Sequence, residues 1–330
     1  YIRRGTEVMI SLIIKDGLGN QLFQYAYARY LQYLYEKEGK KEKIVINSYY
    51  IDHFDFRKAA LHNFVLNDSV EFMNQQEQKK NMEAFKIKTL LANGFDIVPW
   101  KILKSSKPLG EKKYIKRSKH GVYYTYRSQT EFKTVLAQTK NKYVFGFFQG
   151  EANFAPIKDI IRTEFEIKTA PSKENIDILE RIDDTESVCL HIRRGDYLDP
   201  RWKNLQICTF EYYNNAINEI LKKTVNPTFY VFSNTHDDLE WIKENYHFTN
   251  NIDNRKLNFV YVDLGNPDYE ELRLMKSCKY FIISNSTFSW WAAYLSSYKD
   301  KIVLTPERWN LSLDNDVSIY LDDWIRIPTK

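Results

Sequence analysis

The chain has 330 residues, which is long enough for two domains. Its 48 Lys and Arg residues against 43 Asp and Glu leave a net charge of +5, too small to predict nucleic-acid binding. No run of about 18 apolar residues predicts a membrane span. The cysteines at positions 189, 208 and 278 follow no metal-binding spacing, which predicts reduced thiols in a cytosolic protein.

The first half of the chain predicts an α/β domain over residues 9–168. Residues 1–8 are expected to precede the native start at Met9. A predicted strand from Met9 leads through a turn with Gly17 and Gly19 into an apolar helix. That turn lacks the third glycine of a dinucleotide fingerprint, so taken alone it favours a simple tight turn over an anion site. The remaining predictions are a strand at 43–52, a strand and turn at 143–154, a helix at 155–165, and, in the lysine-rich and irregular stretch 66–142, one helix near 83–92.

The second half, residues 169–330, is more regular. A polar segment with Pro171 marks the domain boundary. Five short apolar runs alternate with amphipathic stretches, which predicts a parallel, doubly wound sheet. The predicted strands are Ser187–Ile192, Thr228–Phe232, Asn258–Val262, Tyr280–Ser284 and Ile302–Thr305. The predicted helices are Phe210–Lys223, Asp237–Asn245, Tyr269–Ser277 and Phe288–Ser297.

The segment SVCLHIRRGDYLDP, residues 187–200, is the strongest functional candidate. A predicted buried strand ends in His191, and Arg193 and Arg194 follow at its carboxyl end, the edge where α/β sheets bind ligands. Two adjacent guanidinium groups there predict an anion, and a diphosphate fits best. The alternative is that both arginines pair with surface carboxylates and that Asp196 only forms the turn.

A second candidate is the segment around Asn285, Ser286 and Thr287. The segment joins a predicted buried strand to a helix, so the hydroxyl groups and free backbone N–H groups of Ser286, Thr287 and Phe288 favour a phosphate at the helix N-terminus. The alternative is an ordinary N-cap, which is compatible with phosphate binding. Trp290 and Trp291 are predicted to be core residues and not a platform for sugars.

Metal sites have little support in the sequence. Asp314-Asn315-Asp316 resembles the Asp-x-Asp signature of metal-dependent nucleotide-sugar enzymes. Because it lies in a polar loop and not after a strand, a solvated loop is the better interpretation. The six histidines form no His-x-x-x-His pair, so we predict no zinc site.

Three blocks, GLGNQLFQYAYARYL, HIRRGDY and ELRLMKSCKYFIISNSTFSWWAAYL, resemble the bacterial α-1,2-fucosyltransferases of glycosyltransferase family eleven in order and spacing. The segment FYVFSNTHDDLEWIKENY is also similar to that family, and residues 66–142 match poorly. The resemblance implies a GT-B fold, in which two Rossmann-like domains face each other across a cleft. It further implies an acceptor-side N-terminal domain, a C-terminal domain that binds GDP-β-L-fucose, and no metal or other cofactor.

The resemblance also implies roles for individual residues. Arg193 would hold the β-phosphate. Arg194 would support the same loop, with the phosphates as a second partner, and counts among the substrate-binding residues. His191 and Glu271 would lie near the guanine and ribose, Ser286 and Thr287 at the diphosphate, and Asn20 at the fucose or pyrophosphate. Asp196 is the candidate base for the acceptor hydroxyl, unless it only braces the turn. Asp16 departs from the family, which more often has glycine before GLGNQ.

The implied reaction is inverting transfer of L-fucose to the 2-hydroxyl of a terminal galactose in an oligosaccharide or polysaccharide. The expected location is the cytoplasm, and peripheral attachment to the inner face of the bacterial membrane is an alternative. Three alternatives remain open: an α-1,6- or protein O-fucosyltransferase, a non-catalytic protein that binds a nucleotide sugar, and, with least support, a nucleic-acid binder.

Overall fold

The chain forms two compact units, which meet in sequence between Lys168 and Thr169. The computed structural model describes residues 8–93, 111–125, 134–253, 255–311 and 319–329. Each unit contains one sheet, and all the strand pairs described in both sheets are parallel. This confirms the predicted α/β class with two Rossmann-like domains, the domain content of GT-B enzymes.

The first unit has a five-stranded sheet in the order β3-β2-β1-β5-β4. On one side of β1 lie β2 and then β3, and on its other side lie β5 and then β4. Its elements are β1 (Met9–Ile13), α1 (Leu18–Lys37), β2 (Lys43–Asn47), α2 (Tyr49–Phe54), β3 (Val70–Phe72), α3 (Gln75–Asn93), α4 (Glu111–Lys119), β4 (Val122–Tyr124), β5 (Asn141–Phe145) and α5 (Lys158–Glu164).

The second unit has a six-stranded sheet in the order β11-β10-β9-β6-β7-β8. Counted from β6, this is the 3-2-1-4-5-6 order of the dinucleotide-binding Rossmann fold. Its elements are α6 (Lys173–Asp183), β6 (Glu186–His191), α7 (Phe210–Leu221), β7 (Pro227–Phe232), α8 (His236–Asn245), β8 (Asn258–Tyr261), α9 (Asp268–Lys276), β9 (Tyr280–Ile282), α10 (Thr287–Leu295), β10 (Val303–Pro306) and β11 (Ile325–Ile327).

The core of the second unit explains its regular sequence. Val188, Cys189 and Leu190 of β6 are completely buried, as expected for a central parallel strand that is covered on both faces. On α7 the buried side chains include the predicted stripe of Tyr213, Ile217, Ile220 and Leu221. Trp290 and Trp291 are also fully buried, which confirms that they are core residues.

The elements predicted in the second unit agree with the structure to within a few residues, but α6 and the sixth strand, β11, were not predicted. In the first unit one predicted strand is too long. The predicted strand at 43–52 ends at Asn47, and the chain then turns into the short helix α2. Asn47 causes this change, because its Oδ1 accepts a hydrogen bond from the backbone N–H of Tyr49 at 2.9 Å. In the irregular stretch, β3, α4 and β4 were not predicted.

Candidate functional site

The carboxyl ends of β6 and β9 lie side by side where the strand order of the second sheet reverses. Leu190 of β6 is paired with Ile282 of β9, so the residues after each strand leave the sheet at the same edge. In open α/β sheets this switch point is the usual ligand-binding crevice. The structure therefore brings together the two segments that the sequence analysis singled out, the one from His191 and the one before α10.

His191 is buried at this edge and links the two segments. Its Nδ1 lies 2.9 Å from the hydroxyl of Ser284, and its ring meets that of Phe288 edge-on. Burial, with a smaller contribution from the charge of Arg193, lowers the pKa of His191 to about 3. The imidazole is therefore neutral and can serve as a hydrogen-bonding group but not as a cation.

Arg193 has a buried donor for which the described residues offer no acceptor. Its Nη2 lies 2.5 Å from Oδ1 of Asp196, and its guanidinium lies over the ring of Tyr197. Within the described part of the chain, its Nε is buried and has no acceptor. A buried donor without a partner is costly, so this arrangement favours an anionic ligand that would accept from it. The ion pair also favours Asp196 as a brace for Arg193 over a role as proton acceptor.

Arg194 is turned toward α8. Its Nε lies 3.3 Å from Oδ1 of Asp238, and its Cζ lies 3.3 Å from the ring centroid of Trp241. Its backbone N–H donates to Asn234. These contacts fit the predicted support of the loop, and they direct the guanidinium toward α8.

Gly195 allows the chain to turn between the arginines and Asp196. It has a φ of +48°, and a Cβ at this position would lie 3.0 Å from Cγ of Asn234. A side chain here would therefore be strained by both backbone and neighbour. Beyond it, the Tyr197 hydroxyl donates to the carbonyl of Asn285 at 3.0 Å, so the loop after β6 is tied directly to the loop after β9.

The segment before α10 contains the N-cap of that helix. Ser286 is the N-cap, and its hydroxyl accepts from the N–H of Phe288 at 3.3 Å. Thr287 is the first residue of the helix and is half-buried. The predicted cap is confirmed, and it leaves the positive end of the helix dipole at the switch-point edge.

Asn285 belongs to the second candidate segment, but the sequence did not indicate its structural role. It is 2% exposed, and its Nδ2 donates to the carbonyls of Leu205 and Trp309 at 2.9 and 3.0 Å. Its Oδ1 accepts from the thiol of Cys208. These partners are far away in sequence, so no local pattern could have indicated them.

Glu271 lies on α9, where burial and two nearby carboxylates change its protonation. Burial first, and then the charges of Asp268 and Asp263, raise the pKa of Glu271 to about 8. The carboxyl group is therefore mostly protonated at neutral pH. Its predicted place near the guanine and ribose stays a prediction.

We expect Glu271→Gln to stabilise the protein at high pH. The folded state keeps the Glu271 proton up to about pH 8, whereas the unfolded chain loses it near pH 4.5, so wild-type stability falls as pH rises between these values. The glutamine copies the protonated form and removes this loss, a gain on the order of 2 kcal/mol at pH 9. Urea unfolding at pH 5, 7 and 9 measures the difference.

The control for this prediction is Glu244→Gln, at an exposed position of α8. It should unfold like the wild type at every pH. An equal pH dependence in Glu271→Gln and in the wild type would contradict the assignment.

Asn20 lies at the corresponding edge of the first sheet. It is the third residue of α1, which begins shortly after β1 with Gly17 as its N-cap. Its Oδ1 accepts from Nε2 of Gln149 at 2.8 Å, beyond the end of β5. Among the described residues Gln149 is its only side-chain partner. The strand order of the first sheet also reverses here, between β1 and β5, so the N-terminus of α1 with Asn20 occupies a second switch point.

Asp16, where the family more often has glycine, lies in the turn between β1 and α1. Its φ is +63°, a conformation that glycine adopts easily and that aspartate tolerates better than most residues. Its carboxylate lies 3.3 Å from Nζ of Lys15 and 3.8 Å from Nη1 of Arg57. The substitution therefore places a carboxylate between two cations at the edge of the first sheet.

Two properties of the described residues concern metal ions and membranes. No three His, Cys, Asp or Glu side chains in the described ranges come together as a metal site. Asp314-Asn315-Asp316 lies outside those ranges. None of the described helices is both long enough and apolar enough to cross a bilayer.

Comparison with known proteins identifies one family whose model covers almost the whole chain. A family model described as "Glycosyl transferase family 11" matches residues 9–328. An α-1,2-colitosyltransferase of Escherichia coli is 30% identical over 322 residues, covering 95% of this chain and 97% of that protein. A galactoside α-(1,2)-fucosyltransferase 1 of Saimiri boliviensis boliviensis is 27% identical over 190 residues, covering 53% of this chain and 49% of that protein. The solved structure of the fucosyltransferase NodZ from Bradyrhizobium is 11% identical, with a TM-score of 0.45, and the match covers 87% of this chain and 93% of that chain.

Proposed function

Because the chain belongs to glycosyl transferase family 11, we propose that it transfers L-fucose from GDP-β-L-fucose to the 2-hydroxyl of a terminal galactose in a glycan. The α-1,2 linkage is supported by two relatives, a colitosyltransferase and a galactoside fucosyltransferase, which both carry this linkage in their names. The second relative also supports a galactoside as acceptor.

The observation that carries the proposal is the unused donor of Arg193. Its buried Nε has no acceptor among the described residues, and it lies at the switch-point edge next to the segment that opens α10. A guanidinium and a helix N-terminus at one edge suit the diphosphate of a sugar donor. In the proposed reaction, negative charge grows on the leaving phosphate as the sugar bond breaks. Groups fixed there would stabilise the transition state more than the ground state.

The proposed reaction inverts the anomeric centre, because the acceptor hydroxyl attacks from the face opposite to the diphosphate. The acceptor oxygen forms the new bond, the diphosphate leaves with the electron pair of the old bond, and the acceptor proton passes to a base. We propose that Asp196 positions Arg193 and does not take this proton, because its carboxylate is already engaged with the guanidinium.

A second candidate is the transfer of colitose, which the 30% identical E. coli relative supports. Colitose is fucose without its 3-hydroxyl group, so both sugars could share a GDP-binding edge. The choice between them depends on whether the protein has a polar group for that hydroxyl.

The test is a panel of donors and acceptors with analysis of the product linkage. Purified protein is given GDP-linked fucose, colitose or mannose, together with lactose, N-acetyllactosamine or a chitin oligosaccharide. We expect fucosylated lactose-type products whose linkage by NMR is α-1,2. Products made only from GDP-colitose would select the second candidate. An α-1,6 product on the chitin oligosaccharide, or binding of GDP-fucose without transfer to any acceptor, would overturn both.

We propose that the reaction needs no metal ion, because Arg193 and the N-terminus of α10 can balance the charge of the leaving diphosphate. EDTA is therefore expected to leave kcat and the acceptor KM unchanged, as measured by GDP release. A loss of activity that manganese restores would contradict this and would direct attention to Asp314 and Asp316.

We also propose that the protein works in the cytoplasm and attaches peripherally to anionic membrane through α3 and α4. The two helices carry nine Lys and Arg residues against three Glu, a net charge of +6 where the whole chain has +5. On α3, Ile87, Leu90 and Leu91 are 60%, 51% and 75% exposed. Exposed apolar side chains among lysines fit a surface of anionic lipid headgroups.

Vesicle sedimentation tests this attachment. We expect binding to vesicles that contain phosphatidylglycerol, with little binding to phosphatidylcholine alone, because each surface lysine contributes about 1 kcal/mol only on anionic membrane. The Leu90→Ser/Leu91→Ser double variant should bind less. Val225→Ser, which changes a 78% exposed apolar residue in the second unit, is the control. Equal sedimentation with both lipids would contradict the proposal.

A further inference from the structure

An exposed row of aromatic side chains lies at the carboxyl edge of the first sheet, and none of the roles assigned above involves it. It consists of Tyr50, Phe54 and Phe56, in α2 and the turn after it, and is called the aromatic ledge below. These side chains are 37%, 69% and 80% exposed. Since each exposed phenylalanine forgoes about 2 kcal/mol of burial, neighbouring exposed rings usually mark a binding surface.

The ledge packs against the end of β5 in the first sheet. The Tyr50 ring lies 5.8 Å from the ring of Phe145 at the end of β5 and 5.4 Å from that of Phe54. Tyr49 contacts Phe54 at 6.2 Å. Tyr50 and Phe54 therefore pack on the sheet and on each other, so a ligand would meet two rings that are already in position.

The ledge is continuous with the turn between β1 and α1, the helix that carries Asn20. The Arg57 guanidinium lies over the Phe56 ring at 4.8 Å, and its Nη1 lies 3.8 Å from Oδ1 of Asp16 in the turn. On the other side, Nζ of Lys15 lies over the ring of Phe147 at 3.8 Å. One surface thus runs from the exposed rings to the switch point of the first sheet.

The charges along this surface indicate the chemistry of its ligand. Two cations, Lys15 and Arg57, alternate with two carboxylates, Asp16 and Asp55, and Arg57 lies 3.8 Å from each carboxylate. Such a balanced set does not attract an anionic membrane, unlike the lysine-rich face of α3 and α4. It suits a neutral, hydroxyl-rich molecule, because sugar hydroxyls donate to carboxylates and accept from cations. A pyranose such as galactose also has an apolar face of C–H groups, and this face can stack on an aromatic ring.

We propose that the aromatic ledge binds the acceptor glycan, with Phe54 and Phe56 stacking on its sugar rings. This rests on the proposed glycosyl transfer and adds the surface that selects the acceptor. Because the rings touch only the acceptor, they determine its KM and leave donor binding unchanged.

The decisive variant is Phe54→Ala/Phe56→Ala. We expect its acceptor KM to rise at least about 10-fold, the loss expected when well-packed apolar contacts are removed. The Kd for GDP by calorimetry, the slow hydrolysis of GDP-fucose by water, and the melting temperature should stay at wild-type values. Phe54→Tyr, which keeps a ring, should retain the wild-type KM. Phe72→Ala, at a 46% exposed phenylalanine of β3 in the same unit, is the matched control.

A second measurement does not depend on turnover. Saturation-transfer NMR with lactose or N-acetyllactosamine should show contact with the wild type and lose it in the double variant. An unchanged acceptor KM, equal saturation transfer in both proteins, or no contact with the wild type would each overturn the ledge as acceptor site. Wild-type contact without transfer would overturn the proposed function and leave the ledge as a glycan-binding surface.

Discussion

Arg193→Ala is expected to lower kcat by at least about 1,000-fold while the protein stays folded. The side chain is 19% exposed and pairs with Asp196 only three residues away, so the core does not depend on it. Its buried Nε, without an acceptor among the described residues, is the donor that we assign to the leaving diphosphate. The measurement combines GDP release under saturating substrates with the melting temperature.

Two comparisons make this prediction specific. Arg193→Lys keeps the charge but loses the planar fork, so it should recover only a small part of the activity. Arg201→Ala removes an arginine that is 80% exposed and pairs with Asp199, and it should behave like the wild type. Wild-type turnover in a folded Arg193→Ala variant would remove the leaving-group role.

Asn285→Ala is expected to lower the free energy of unfolding by about 3 kcal/mol. Its amide supplies hydrogen bonds to the carbonyls of Leu205 and Trp309. Alanine would leave both carbonyls, and the thiol of Cys208, without this partner in a buried place. Urea unfolding and the melting temperature measure the loss.

The matching control is Asn245→Ala, at an exposed asparagine whose amide donates to the carbonyl of Trp241 at 2.8 Å. Water can replace that bond, so the change should cost less than about 0.5 kcal/mol. Asn285→Asp keeps the size and one acceptor but loses both donors, and it should resemble the alanine variant. Equal stabilities of the Asn285 and Asn245 variants would refute the proposed importance of Asn285.

The second unit was predictable from its sequence because its strands are buried on both faces and its helices carry one apolar side. The hydrophobic pattern of residues 66–142 predicted few helices or strands. The strands β3 and β4 have only three residues each, and α3 buries few side chains among many exposed lysines. A hydrophobic period can be recognised only in an element that is long enough and buries one face. The elements of this stretch are short or mostly exposed.

The position of the candidate site could be predicted, whereas its internal contacts could not. Residues that follow a buried strand must lie at the carboxyl edge of a parallel sheet, which is why the segments with Arg193 and Ser286 come together. The partners of Arg194, Asp238 and Trp241, are more than forty residues away from it in sequence. Such contacts depend on how α8 packs, and no local pattern encodes that packing.

The two adjacent arginines after β6 have different partners, and this has a consequence for genetics. Arg194 joins its loop to α8 through Asp238 and Trp241, so its loss damages the scaffold and not the chemistry. An Arg194→Ala allele should therefore be temperature-sensitive, with sugar transfer returning in cells grown in the cold. An Arg193→Ala allele should stay null at every growth temperature, although the two codons are neighbours.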